Sequence, residues 1–309
     1  MRGRKTIKNI KNFLNSGIWE TNVNELGKFR ARIIKRLKIF IMALKFFYSH
    51  KVGYHAVALA FFSSIAAIPC LAVAFTITKG FGIGDKLESL LLLNFSDQEQ
   101  AIRHALEYAG NVIAVTNQGK FGIISFLCFV WLVFWLMIQV EKTFNHVWRV
   151  DVSRSFFKRL SAYMAIIFLL PFVVVMFLST TLLFSNSQGL IGNLITIPIW
   201  EGISKWLSWL LVYVCISLVL TMMYKFIPNA KVTLSKAFQA ALIAALMFSL
   251  FQWIYVETQI FFNRLNNVFG VVAAIPFMMI WLNVAWFIVL FGSELSYAFQ
   301  HVNDYKPEN

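Results

Sequence analysis

Glu141, Asn145 and Trp148 stand at i, i+4 and i+7, so a helix carries all three on one face. Asn283 and Glu294 are eleven residues apart, nearly three helical turns, and share a face in the same way. Gln252 and Gln259 lie one heptad apart, with Glu257 close by. All of these polar groups sit inside or at the edge of long apolar runs. A carboxylate or amide is costly in such surroundings, so it faces a partner helix or a water-filled cavity. Two chemistries compete for these residues. In one they glue helices together or cap helix ends. In the other, Glu141, Asn145, Gln252, Glu257, Asn283 and Glu294 line a polar pathway.

Signs of catalysis are thin. The chain contains no GxSxG, HExxH, P-loop or GxGxxG motif. Its five histidines, His50, His55, His104, His146 and His301, are scattered and never at ligand spacing. A metal-dependent nuclease or phosphotransferase needs clustered carboxylates, and the 14 acidic residues are dispersed. The three cysteines, Cys70, Cys128 and Cys215, are odd in number and form no CxxC pair, which argues for packing rather than a disulfide or zinc site. The expectation is a protein that is not an enzyme and uses no metal or cofactor.

The elements that must position these residues follow from composition. Of 309 residues, 59% are hydrophobic and only 14% charged. Soluble domains carry about 25% charged residues, so a soluble globule could not hide this much apolar surface. Six charge-free segments stand out, each near the roughly 20 residues needed to cross a bilayer. They run from Val57 to Thr78, Phe121 to Val140, Ala162 to Phe184, Trp206 to Tyr224, Ala237 to Val256 and Val271 to Phe291. Ser63, Ser64 and Pro69 are expected to interrupt the first, and Pro276 lies in the sixth. The fold class is all-α: a polytopic membrane protein with six transmembrane helices.

Charge placement sets the orientation. The net charge of +14 would suit nucleic acid, but 22 of the 28 Lys and Arg residues fall on one side of the six-span arrangement. The positive-inside rule then places both termini in the cytoplasm, and the basic excess needs no nucleic-acid partner. Residues 1–51 form a basic cytoplasmic arm, 52–299 the transmembrane domain with an outer loop at 79–120 that holds short helices, and 300–309 a cytoplasmic tail. No cleavable signal peptide or lipidation motif is visible, so the first span is expected to act as an uncleaved anchor. From Leu26 to Tyr48, apolar residues recur at helical spacing with basic residues between them. This segment is an N-terminal amphipathic helix, lying either at the cytoplasmic headgroups or packed under the bundle.

Several short motifs resemble one family. The stretch Ala58-Leu59-Ala60-Phe61-Phe62-Ser63-Ser64-Ile65-Ala66-Ala67-Ile68-Pro69 is similar to the first-span signature of the YihY/BrkB family of bacterial inner-membrane proteins, formerly mislabelled ribonuclease BN. Phe144-Asn145-His146-Val147-Trp148 resembles its motif after the second span, and Tyr224-Lys225-Phe226-Ile227-Pro228-Asn229 its motif after the fourth. Phe269-Gly270 and Gly292-Ser293-Glu294 resemble motifs around the sixth. The Pro-Gly that often opens the fifth span is replaced around Lys236-Ala237, and Gly-Ala-Glu becomes Gly-Ser-Glu. The resemblance implies structural roles for Pro69, Trp148, Tyr224, Pro228, Asn229, Gly270 and Gly292.

It also implies the bacterial cytoplasmic (inner) membrane as location and a part in envelope biogenesis. Transport or flipping of a lipid or amphiphile is the leading expectation. A non-transporting envelope-assembly scaffold is the alternative, and a membrane nuclease stands a distant third. The expected partners are membrane lipids with anionic headgroups at the cytoplasmic face, a second copy of the chain, or envelope proteins. No nucleotide-binding motif is present, so transport would run on a gradient, passively, or with a partner ATPase.

Overall fold

The computed structural model describes residues 19, 27–80, 103, 107, 120–152, 154, 198–262 and 274–305. Among these, every regular element is an α-helix: α1 (Lys28–Ser49), α2 (Val52–Gly80), α3 (Lys120–Val147), α4 (Pro198–Phe226), α5 (Leu234–Phe262) and α6 (Ala274–His301). The apolar segment 162–184 lies outside the described residues, as does the loop 79–120 apart from Lys79, Gly80, Arg103, Glu107 and Lys120. Leu234–Tyr255 in α5 and Pro276–His301 in α6 are each long and apolar enough to cross a membrane. Val52–Ala66 and Val212–Phe226 are shorter apolar stretches.

The helices run beyond the apolar segments that announce them. α6 extends past Phe291 to His301 and so carries Gly292, Ser293 and Glu294 within regular helix. The expected interruption of the first apolar segment is not found. α2 is continuous from Val52 to Gly80, straight through Ser63, Ser64 and Pro69. A proline removes one backbone donor, a loss that long packed apolar helices tolerate. Ser64 turns its hydroxyl back onto the Ala60 carbonyl at 2.8 Å, leaving the helix intact. Pro276 falls in the first turn of α6, where backbone N–H groups have no intrahelical acceptor in any case.

Two turns are made by residues in the left-handed region, Lys51 (φ 54°) and Arg149 (φ 56°). That conformation costs an L-residue roughly 1–2 kcal/mol, so surrounding contacts must hold it. At the first, the His50 N–H bonds the Phe46 carbonyl and the Tyr54 N–H bonds the Lys51 carbonyl. At the second, the Trp148 N–H bonds Phe144 and the Val150 N–H bonds Asn145. These turns separate α1 from α2 and end α3, and they bring His50 and Arg149 to the same end of the bundle.

α6 is the central helix, packed against α1, α2 and α5, with α3 and α4 touching it more locally. α5 meets α4 and α6 through a buried stripe of Ala237, Ala240, Ala241, Ala244 and Ala245. Small residues let helix backbones approach closely where lipid gives no hydrophobic drive for association. Gly292 extends this logic on α6. A Cβ placed there would overlap the Tyr224 hydroxyl and come within 2.7 Å of the Ala244 Cβ. Side-chain hydrogen bonds tie the same helices: Trp281 Nε1 donates to Gln252 Oε1 at 2.9 Å, Trp286 Nε1 to Ser63 Oγ at 2.9 Å, and the Tyr213 hydroxyl to the Leu242 carbonyl at 2.9 Å.

α1 forms as the alternation of apolar and basic residues predicts. Its contact with the bundle is made by Ile39, Met42, Ala43, Phe46 and Phe47, all buried. Of the apolar stripe anticipated between Leu26 and Tyr48, Phe47 is buried there, stacking edge-on against Phe287 and Phe291. Phe29, Ile33, Leu37, Phe40 and Leu44 remain exposed.

Candidate functional site

One end of the bundle concentrates its buried polar side chains. Glu141, Thr143 and Asn145 on α3, Ser217 and Thr221 on α4, and Ser293, Glu294 and Ser296 on α6 are all buried. Thr143, Ser217 and Thr221 turn their hydroxyls back onto carbonyls of their own helices; the others belong to two clusters.

The first joins the end of α3 to the connection between α4 and α5. Asn145 Oδ1 accepts the Asn229 backbone N–H at 2.7 Å. In return, the Asn229 side-chain amide donates to the Val152 carbonyl at 2.9 Å. Glu141 is 1% exposed, and its Oε1 receives the backbone N–H of Arg154 at 3.4 Å. The Arg154 guanidinium reaches across to the carbonyls of Phe226 and Pro228, at 2.8 and 3.0 Å. Those carbonyls close α4, where the last turn has no intrahelical donors and the helix dipole favours a cation. Lys225 Nζ donates to the Val232 carbonyl, and Gln300 on α6 binds both the Thr233 N–H and the Lys231 carbonyl, at 2.9 and 3.1 Å. The Pro228-Asn229 bend is thus held from α3, from Arg154 and from α6.

The second cluster surrounds Glu294, which is 0% exposed. His50 Nδ1 lies 3.6 Å from Glu294 Oε1, an ion-pair distance when the imidazole is charged but longer than an ordinary hydrogen bond. Neither carboxylate oxygen has a hydrogen-bond partner among the described residues, nor do the hydroxyls of Ser293, Ser296 and Tyr224 or the Trp148 Nε1. His146 Nε2 lies 3.2 Å from the His50 carbonyl, and the His55 and His146 rings are 4.7 Å apart. Arg149 stacks its guanidinium over Phe46 at 4.0 Å and Tyr297 at 4.6 Å, and donates to the Tyr297 hydroxyl at 3.1 Å. Buried polar groups normally find partners, and several orphans together mark a strained or functional place.

Sequence spacing anticipated part of this. Glu141 and Asn145 do share one buried face, but with different partners. The backbone amide at Asn229 is bonded by Asn145, and the amide that reaches Glu141 is that of Arg154. Lys142, next to Glu141 in the chain, is exposed. Trp148 is buried against Tyr297 and His301, with ring centroids at 5.5 and 6.1 Å. Tyr224, Pro228 and Gly292 are buried in the helix junctions. Gln252 pairs with Trp281, well away from either cluster. Asn283 lies about 16 Å along the helix from Glu294 at 1.5 Å per residue, beside an apolar groove of about 500 Å³ formed with Val57, Phe61, Met279 and Ile280. The five candidate pathway residues whose side chains are described therefore do not gather in one place. Pro69 and Glu257 lie on α2 and α5, but their side chains are outside what is described, and Gly270 is outside the described residues.

His50, His146, Arg149, Arg154 and Gln300 were not singled out by spacing. They come from helix ends and turns far apart in sequence. The histidines read as scattered, yet His50, His55 and His146 converge. Among the described residues no three His, Cys, Asp or Glu side chains are arranged to hold a metal ion.

Helices of this apolarity, tied by small-residue contacts and buried amides, belong to a membrane protein, and comparison with known sequences defines which kind. The family described as virulence factor BrkB matches residues 43–309, so the chain belongs to that family. It is 27% identical over 278 residues to a UPF0761 membrane protein of Actinobacillus pleuropneumoniae, covering 86% of this chain and 94% of the relative. A UPF0761 membrane protein of Coxiella burnetii is 28% identical over 260 residues, covering 81% and 88%. One from Vibrio vulnificus is 25% identical over 262 residues, covering 83% and 80%. No solved structure matches.

Proposed function

We propose that this protein carries a lipid or amphiphile across the bacterial inner membrane during envelope biogenesis. In this reading the chain crosses the membrane six times with both termini in the cytoplasm, as the distribution of basic residues favours. It acts as a carrier and not as an enzyme. The observation that carries the reading is Glu294: a carboxyl buried in an apolar bundle, with no hydrogen-bond partner among the described residues and His50 at 3.6 Å. Structural economy does not favour such a group, because an apolar side chain of similar volume would fill the space at lower cost. Ionisable residues inside membrane bundles mark substrate or ion pathways.

A scaffold role is the second reading. It is favoured by the Asn145–Asn229 and Gln252–Trp281 bonds, which turn motif and candidate residues into struts. Flipping of a fluorescent lipid in proteoliposomes distinguishes the two. The wild-type protein should flip the probe faster than protein-free vesicles, and Glu294→Gln should slow flipping without lowering the Tm in detergent. Protein-free rates from wild-type protein, for both anionic and zwitterionic probes, would overturn transport and leave the scaffold.

A further inference from the structure

We propose that the exposed stripe of α1 is a docking face for an anionic bilayer surface, which holds the N-terminal half of the helix flat against the lipid. Phe29, Ile33, Leu37, Phe40 and Leu44 follow one another at steps of three or four residues, so they form a single ridge. All are exposed, Phe29 to 76%. A ridge of large apolar side chains on one helix face exceeds the scattered exposure that is normal on a protein surface.

The bundle does not cover this ridge. Between Lys28 and Lys38 no residue of α1 is fully buried, and burial begins at Ile39. The docking residues Ile39, Met42, Ala43 and Phe46 stand on a different side of the helix. Phe40 touches Phe291 only by its edge, with ring centroids 5.9 Å apart, and remains nearly half exposed. Among the described residues, α1 therefore uses one stripe to grip α6 and leaves the ridge uncovered apart from the edge of Phe40. Similar exposed apolar residues resume on α2 at Tyr54, Val57 and Phe61.

Charge selects the occupant. Between Lys28 and Ser49 there are seven basic residues and no acid. Lys28 and Lys35 lie on the far side of the helix from the ridge and Arg32 to one side of it, while Arg30 and Arg36 flank its two edges; all five are exposed. Flanking arginines can run their stems along apolar material and leave the head among phosphates. An apolar ridge with basic edges and a basic back is the pattern of an interfacial helix attracted to anionic lipid. A second copy of α1 would bring two such cationic helices together, which like charges oppose, so the lipid surface is the better match. The inference requires only that the protein sits in a bilayer, and it stands whether or not lipid is transported.

Site-directed spin labelling of the full chain in nanodiscs tests this. Labels are placed singly at Ile33→Cys, Leu37→Cys and Lys35→Cys, with Cys70, Cys128 and Cys215 replaced by Ala. In nanodiscs of mixed phosphatidylcholine and phosphatidylglycerol, labels at 33 and 37 should collide more with oxygen than with a water-soluble nickel chelate. The label at 35 should show the reverse. Replacing Arg30, Arg32, Lys35 and Arg36 with Gln in the Leu37→Cys background should raise nickel access severalfold, and should do so less in pure phosphatidylcholine. High nickel access at 33 and 37 in anionic nanodiscs would overturn the proposal. So would shielding of both labels from oxygen and nickel together with dipolar broadening, which would assign the ridge to a second copy.

Discussion

Asn145 and Asn229 clasp each other's surroundings in both directions: Asn145 Oδ1 accepts the Asn229 backbone N–H at 2.7 Å, and the Asn229 side-chain amide donates to the Val152 carbonyl at 2.9 Å. Each bond satisfies a backbone group in a turn that no helix ladder can serve. The pair therefore fixes the end of α3 against the α4–α5 connection, the region that also holds Arg154 and Glu141.

Asn145→Ala should destabilise the protein by about 1–3 kcal/mol, because it leaves the half-buried Asn229 N–H without its acceptor. Thermal unfolding in detergent would register this as a lower Tm. Asn229→Ala keeps the backbone N–H and loses only the bond to Val152, so its effect should be smaller. Equal Tm values for Asn145→Ala and the parent would mean that the turn finds another acceptor.

Gly292 and Tyr224 offer a test of close packing. Gly292→Ala sets a methyl group against the Tyr224 hydroxyl and the Ala244 Cβ, and overpacking of this kind costs typically about 1–3 kcal/mol. Tyr224→Phe removes the hydroxyl, which has no partner among the described residues. Combined with Gly292→Ala, it should restore part of the lost Tm. Additive effects in that double-mutant cycle would show that the two positions do not press on each other.

The helices were legible because charge-free runs of about 20 residues leave few alternatives. Their ends were not. Hydropathy alone ends the sixth run at Phe291, yet the backbone remains helical through Glu294 to His301 because a buried carboxylate does not break a helix. One proline misleads in the opposite direction: Pro69 reads as an interruption, but α2 continues through it, whereas Pro276 lies in the sixth helix as expected. Helical spacing found Glu141 and Asn145 because they share one helix. It could not find His50 beside Glu294, or Arg154 beside Phe226 and Pro228, because those meetings depend on how separate helices pack.

The orientation proposed for the chain is testable without the site. With 22 of 28 basic residues on one side, a reporter fused after Asn309 should behave as cytoplasmic, and one inserted in the 79–120 loop as periplasmic. A phosphatase reporter active in that loop and inactive at Asn309 is the expected pair. Cytoplasmic behaviour in the loop would reverse the arrangement.

Arg154 should be intolerant of lysine. One guanidinium nitrogen, Nη2, donates to both the Phe226 and Pro228 carbonyls, at 2.8 and 3.0 Å, and the lysine side chain is one atom too short to set its nitrogen at that point, while its ammonium gives up water less readily. Arg154→Lys should therefore lower the Tm nearly as far as Arg154→Ala. A lysine variant with the parent's Tm would show that charge at the end of α4, and not the reach of the guanidinium, is what matters.

Gln252 separates helix glue from pathway. Its Oε1 accepts the Trp281 indole N–H at 2.9 Å, linking α5 to α6. Side-chain hydrogen bonds between membrane helices contribute about 0.6 kcal/mol on average and at most about 1.7 kcal/mol, since alternative partners exist before the helices pack. Gln252→Leu and Trp281→Phe should each lower the Tm slightly, and the double variant should lose less than their sum. If Gln252 serves only as glue, lipid flipping by the two single variants should fall equally, in step with stability. If it lines a pathway, Gln252→Leu should abolish flipping while Trp281→Phe, which leaves the amide in place, keeps most of it. Loss of flipping confined to Gln252→Leu would therefore move this residue from strut to pathway, and would place the route between α5 and α6.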